Sequence, residues 1–293
     1  INAGMHYLFN VEESANLQVI LIAIITLGAT LSVVSGLHKG IQVLSKIASV
    51  MAIILMGFML LVGPTLFILG STVQSTGYYL QNLIATSTWM EVNTESRWMD
   101  SWTFFYWGWW FAWAPFVGLF VARISKGRTI KEFLIGVVIA PTLATIVWIS
   151  IFGSTSLHIE IFGSGGMTEA VNQDITTALF KLLEHFPLPY LSILFVVIAG
   201  VIFFITSSDS GSLVIDFITS GGQENTPVQL RIFWALLEGA VAAVLLWGGG
   251  LIALQTGSLV TGLPVCLLML VVCYAILKAL RTYEAETNKG ANP

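Results

Sequence analysis

Charge is scarce in this sequence. Of 293 residues only 10% are Asp, Glu, Lys or Arg, against 56% hydrophobic, and the mean hydropathy is +0.86. A water-facing surface draws on roughly 25% charged residues, so this chain cannot clothe a soluble domain. Its 12 basic and 16 acidic residues leave a net charge of −4, which provides no basic surface for nucleic acid. Cysteine is nearly absent. Cys266 and Cys273 lie in one apolar stretch, about 10 Å apart on a helix and beyond disulfide reach, and they read as core residues. No CxxC and no paired-histidine spacing for zinc occurs. His6, His38, His158 and His185 never cluster, and Gly163-Ser164-Gly165-Gly166 lacks the Lys-Ser/Thr of a phosphate loop. An enzyme needs converging acids, histidines or a metal set, and a channel needs a charged or carbonyl-ring filter. The sequence shows neither pattern.

What is abundant is long apolar segments. A membrane span takes ~20 mostly apolar residues, and seven stretches qualify: 16–37, 47–69, 98–121, 133–155, 190–214, 232–249 and 258–277. Two amphipathic pieces, 75–85 and 169–185, read as interfacial helices. The predicted fold class is an all-α, multi-span helical bundle in the membrane.

Basic residues orient the bundle. Lys39, Lys46, Arg123, Lys126, Arg128, Lys131, Arg231, Lys278, Arg281 and Lys289 fall on one side, and only Arg97 and Lys181 on the other. The first side is expected to be cytoplasmic, together with the tail 283–293. Arg123, Lys126, Arg128 and Lys131 are also placed to meet anionic lipid. Span one then descends from outside. Residue 1 is not Met, and no basic region followed by an apolar one opens the chain. The expectation is a C-terminal part of a longer protein, with an odd number of spans before it.

The most informative stretch runs from Asp100 to Phe116. At 100° per residue, Phe105, Trp109, Trp102, Trp113, Tyr106 and Trp110 share an arc of about 140°. Trp107, Phe111 and Phe104 point the other way. Tryptophan belongs at the membrane interface, yet Trp113 lies ~16 Å below Trp102 along the axis, near mid-membrane. Indole faces that deep suit a cation, and a quaternary ammonium best of all. Such a head has no N–H to donate, and no acid lies on this helix below Asp100. Gly108 and Pro115 are expected to break the helix, as at transporter binding sites.

A second cluster, Phe204-Ile-Thr-Ser-Ser-Asp-Ser-Gly211, buries oxygens late in span five. Clustered oxygens suit a hard cation or interhelical hydrogen bonding. Asp209, near the end of that span, reads as a proton-coupling acid or as a side chain bonded to neighbouring backbone. Glu238 reads as a snorkelling or helix-paired acid.

These residues resemble the betaine/choline/carnitine transporter family, whose signature is close to W-T-x-F-Y-W-x-W-W. Here it stands as Trp102-Thr103-Phe104-Phe105-Tyr106-Trp107-Gly108-Trp109-Trp110. Ala122-Arg-Ile-Ser-Lys-Gly-Arg-Thr129, Ser35-Gly-Leu-His-Lys-Gly40 and Phe203-Phe-Ile-Thr-Ser-Ser-Asp-Ser210 extend the match, nearest to the bacterial choline/glycine betaine uptake branch. The resemblance implies twelve spans in the leucine-transporter-like fold of two inverted five-helix repeats. Residues 1–73 would then be the last two spans of repeat one, 74–97 an external helix and loop, and 98–282 the second repeat. It implies that Phe105, Trp109, Trp110 and Trp113 cage the ammonium group. It further implies that Thr206, Ser207 and Phe203 serve a sodium ion, and that Phe116 serves a second sodium site. The implied protein is no enzyme and carries no cofactor. It is a homotrimeric importer of choline or glycine betaine in the bacterial inner membrane, driven by sodium or protons for osmoprotection. The alternatives are a sodium-independent carnitine/betaine exchanger and a non-transporting sensor of the same ligand.

Overall fold

The computed structural model describes residues 1–35, 40–92, 98–223 and 226–290, with the side chains of residues 41 and 284–290 outside that description. His38, Lys39, Arg97 and the Lys289 side chain, all used to orient the chain or extend the motif, therefore lie outside the described residues.

Every regular element among the described residues is helical. A short α1 (Asn2–Phe9) leads into α2 (Ala15–Ser35) and α3 (Ile41–Val62). α3 stops where Gly63 extends and Pro64, with no N–H to donate, follows it. The Thr65 hydroxyl donates to the Leu60 carbonyl at 2.6 Å, and the chain restarts as α4 (Thr65–Gln81) and α5 (Leu83–Ser87). The span predicted at 47–69 thus ends early, at Val62.

The aromatic stretch opens as a π-wound segment, Asp100–Trp107, and becomes α-helical in α6 (Gly108–Ile124). α7 (Ile130–Leu134) starts at a capping box, Thr129 with Glu132, which satisfies free N–H groups at both ends of the exchange. A second π-wound turn, Ile135–Ile139, joins it to α8 (Ala140–Phe162). The piece predicted to be interfacial folds as α9 (Met167–Gln173), a 3₁₀ turn and α10 (Ala178–Glu184). Three long helices close the described chain: α11 (Pro189–Thr219), α12 (Val228–Val260) and α13 (Gly262–Gly290).

Six stretches are long and apolar enough to cross a membrane, where the sequence predicts seven. The difference lies in the last, Val228–Tyr283, whose 56 residues cover both predicted segments at 232–249 and 258–277. At 1.5 Å per residue a straight helix of that length would run ~84 Å, against a hydrocarbon layer of ~30 Å. It is not straight. α12 breaks at Gly249 and Gly250, and Gly250 (φ 61°, ψ −152°) occupies a region open essentially to glycine alone. Gly250→Ala is therefore expected to cost about 1–3 kcal/mol, read as a lower thermal midpoint of the purified protein than that of Gly248→Ala.

The surface pattern is that of a chain in lipid. On α2, Ile20, Ile24, Leu27, Leu31 and Val34 face outward, while the buried side is Thr26, Ala29, Ser32 and Val33. Both rows follow helical spacing, but the apolar row is the exposed one, and small or hydroxylated residues make the helix contacts. α2 packs on α11 and α12, α11 also on α3, α4 on α8, and α6 on α13. Gly239 on α12 meets Thr26 so closely that a Cβ there would overlap its side chain. A second cluster joins Leu55 and Met59 of α3 to Ile68, Ile151, Leu183 and Ile193. The chain is an all-α, multi-pass membrane protein. Cys266 is half-buried and Cys273 exposed, both free, so Cys273 is a surface residue and not the core residue its apolar setting suggested.

Candidate functional site

The structure brings the aromatic residues into contact but re-sorts them. Between Asp100 and Trp107 the backbone follows i→i+5 bonding, so the 100° wheel does not carry across this segment. Phe105 stacks on Trp109 with centroids 6.4 Å apart and planes 6° from parallel. Trp109 meets Trp113 edge to face at 5.9 Å and Trp110 at 6.3 Å. Trp110 in turn meets Tyr106 at 6.2 Å, and Tyr106 meets Trp102 at 6.0 Å. The six predicted rings thus form two strings, Trp102–Tyr106–Trp110 and Phe105–Trp109–Trp113, joined between Trp109 and Trp110.

Of the six rings, only Tyr106 and Trp110 front the large cavity. Tyr106 and Trp110 line a space of about 1180 Å³ walled by Tyr79 of α4, Val117 of α6 and Thr145 of α8. Phe105, Trp109 and Trp113 do not line it. No residue from Asp100 to Ile124 is buried, so the described residues supply an open aromatic face. Phe116 continues the second string, its ring 5.4 Å from Trp113. The helix breaks predicted at Gly108 and Pro115 are absent. The winding changes at Gly108, and α6 runs through Pro115.

The hydroxyl cluster lies inside α11. Thr206 is buried and donates to the Phe203 carbonyl at 2.9 Å, while its own carbonyl accepts from Ser210 at 2.8 Å. Ser207 is exposed. The three residues assigned to sodium by resemblance therefore share consecutive turns of one unbroken helix.

Asp209 is not near a helix end. α11 continues to Thr219, and Asp209 is wholly buried, accepting the Ser32 hydroxyl of α2 on one oxygen while the other has no partner. Glu238 does not snorkel either. It turns toward α11 and accepts from Ser212 at 3.0 Å and Ser208 at 3.4 Å. Asp216 was missed by sequence reasoning altogether. It is buried, accepts the Thr226 hydroxyl, and lies 3.7 Å from Arg231 Nε. Sequence gave one usable signal for these pairings, the four-residue spacing of Ser208 and Ser212.

Comparison with known proteins agrees with the aromatic signature. The family described as BCCT, betaine/carnitine/choline family transporter, matches residues 1–285. A glycine betaine/proline/choline/ectoine transporter of Vibrio parahaemolyticus is 42% identical over 290 residues, covering 96% of this chain and 50% of the relative. The glycine betaine transporter OpuD of Bacillus subtilis is 40% identical over 292 residues, 99% of this chain and 56% of the relative. An uncharacterized transporter of Mycobacterium tuberculosis is 45% identical over 290 residues, 98% and 49%. The chain spans about half the length of these relatives. With the aromatic signature running from Trp102 to Trp110 and a family match over residues 1–285, this chain belongs to the betaine/carnitine/choline transporter family.

Proposed function

We propose that the full-length protein is a secondary transporter that imports a small quaternary ammonium solute, glycine betaine or choline, for osmoprotection. The observation that carries this reading is the ring string Phe105–Trp109–Trp113 with Trp110 beside it. Clustered aromatic rings suit a cation that cannot donate a hydrogen bond. Relatives named as glycine betaine transporters support it. The cage is one-sided in the described residues, so other parts of the protein close over the ammonium group.

Uptake is coupled to sodium, with Thr206, Ser207 and the Phe203 carbonyl as ligands and Phe116 at a second site, or to protons through Asp209. The positively charged loops face the cytoplasm, and the protein works as a homotrimer in the bacterial inner membrane. Ser207 is exposed on α11 and free to offer its oxygen. One lost hydroxyl ligand is worth about 1.4 kcal/mol, so Ser207→Ala should raise the sodium concentration for half-maximal uptake about tenfold. An unchanged sodium dependence would turn attention to Asp209.

Binding is tested by tryptophan fluorescence of the purified full-length protein, to which this chain alone contributes ten indoles. Glycine betaine and choline should quench it saturably, and 3,3-dimethylbutan-1-ol, the uncharged carbon analogue of choline, should not. Equal quenching by all three would refute a cation cage.

A further inference from the structure

Glu238 occupies a built position that the substrate and sodium readings leave unused. α12 brings its carboxyl against the backbone of α11 at Gly211, where an added Cβ would stand 3.2 Å from one carboxyl oxygen and 3.5 Å from the other. Ser208 and Ser212, one turn apart on α11, present their hydroxyls to the same oxygen. Ser212 is wholly buried, and its hydroxyl oxygen stands 3.0 Å from both Glu238 Oε2 and the Ser208 carbonyl.

That hydroxyl has one hydrogen and two acceptors within reach. With Glu238 ionised, Ser212 donates to the carboxylate. With Glu238 protonated, the carboxyl O–H donates to Ser212 Oγ and the Ser212 hydrogen passes to the Ser208 carbonyl. Both protonation states are satisfied by the same heavy-atom positions, so a proton can arrive or leave without repacking the helices.

Among the described residues no cation is paired with Glu238. α2, packed against this face, has no titratable side chain. On α11 the charged neighbours are Asp209, which acts on Glu238 as a like charge, and Asp216, held by Thr226 and Arg231. α6 brings Arg123, which lies over Phe217. The described side chains of α13 bring Cys266, Cys273, Tyr274, Lys278, Arg281 and Tyr283. On the same helix as Ser208 and Ser212, the second Asp209 oxygen is wholly buried without a hydrogen-bond partner. An ionisable group in a membrane span with no cationic partner among the described residues calls for a mobile positive charge.

We infer that Glu238, with Ser212 and Ser208, is a proton-binding site between α11 and α12, separate from the substrate cage. The proton adds from water to a Glu238 oxygen, forming one O–H bond, and returns to water on release.

Infrared difference spectra of the purified full-length protein, titrated between about pH 5 and pH 9, test this directly. The wild type should show a carboxylic acid C=O band that rises as pH falls. Glu238→Gln should delete that band, and Ser212→Ala should shift its frequency by removing the acceptor. In proteoliposomes, wild-type uptake should change on the order of tenfold over that range and Glu238→Gln less than about twofold. The uptake arm rests on the transporter reading, whereas the infrared arm does not. Absence of uptake with every quaternary ammonium tried would sink that reading and leave the infrared result to decide the site. A band unaltered in both variants, or no Glu238 band at any pH in the range, overturns the inference.

Discussion

Trp109→Ala is expected to raise the KM for glycine betaine about thirtyfold, the largest effect of any single aromatic replacement. Trp109 is where the two ring strings meet, touching Phe105, Trp110 and Trp113 at 6.4, 6.3 and 5.9 Å. A desolvated cation–π contact contributes about 2 kcal/mol, and every ~1.4 kcal/mol is tenfold in affinity. Removing the central indole also lets its three neighbours relax away from the ammonium position. Trp109→Phe keeps a π-face and should recover most of the loss. Trp107, whose neighbours are Tyr106 and Phe111, is the control, and Trp107→Phe should leave KM within about twofold. Kinetic uptake of labelled substrate by the three variants checks this. Equal losses at Trp107 and Trp109 would mean that the helix matters as packing and not as a cage.

The second large effect is on stability. Arg231→Ala is expected to lower stability by about 3 kcal/mol. Asp216, at the end of α11, is 3% exposed. Its carboxylate has two partners, the Thr226 hydroxyl and the Arg231 guanidinium, whose Nε also donates to Thr226 at 3.0 Å. The other Asp216 oxygen has no partner. Taking away Arg231 leaves a buried carboxylate held by one hydroxyl, and such orphaned charges are costly. The thermal midpoint in detergent should drop by roughly 10 °C. Arg231→Ala combined with Asp216→Asn should recover part of that drop, because the charge is then gone. No recovery in the double variant would show that Arg231 acts through its packing alone.

The helices themselves were legible because apolar runs of membrane length need no tertiary information. Their ends were less so. Pro64 stood in plain view, yet the apolar residues on both sides masked it, and only the structure divides α3 from α4 at Gly63 and Pro64. The break in α12 follows the same logic. Gly249 and Gly250 adopt non-helical angles inside an apolar run that continues past them. The π-winding of Asp100–Trp107 left no mark in residue spacing, since its rings still recur at four-residue steps. The two strings, Trp102–Tyr106–Trp110 and Phe105–Trp109–Trp113, follow the four-residue steps of the sequence.

Pairings across the bundle were the least readable. Ser32 and Asp209 are 177 residues apart, and Ser212 and Glu238 are 26 apart on different helices. A single sequence gives the polarity of such residues and not their partners. Local composition was enough to mark Asp209 as significant, because a carboxylate within a span always needs a partner. It was not enough to separate Glu238 from a snorkelling acid, since that depends on which way α12 is turned.

The most direct test of the transporter account is accumulation. The full-length protein in proteoliposomes should concentrate labelled glycine betaine or choline inside when a sodium or proton gradient is imposed, and should only equilibrate it when neither is present. Saturable binding without accumulation under any gradient would contradict transport and leave a membrane receptor for the same cation.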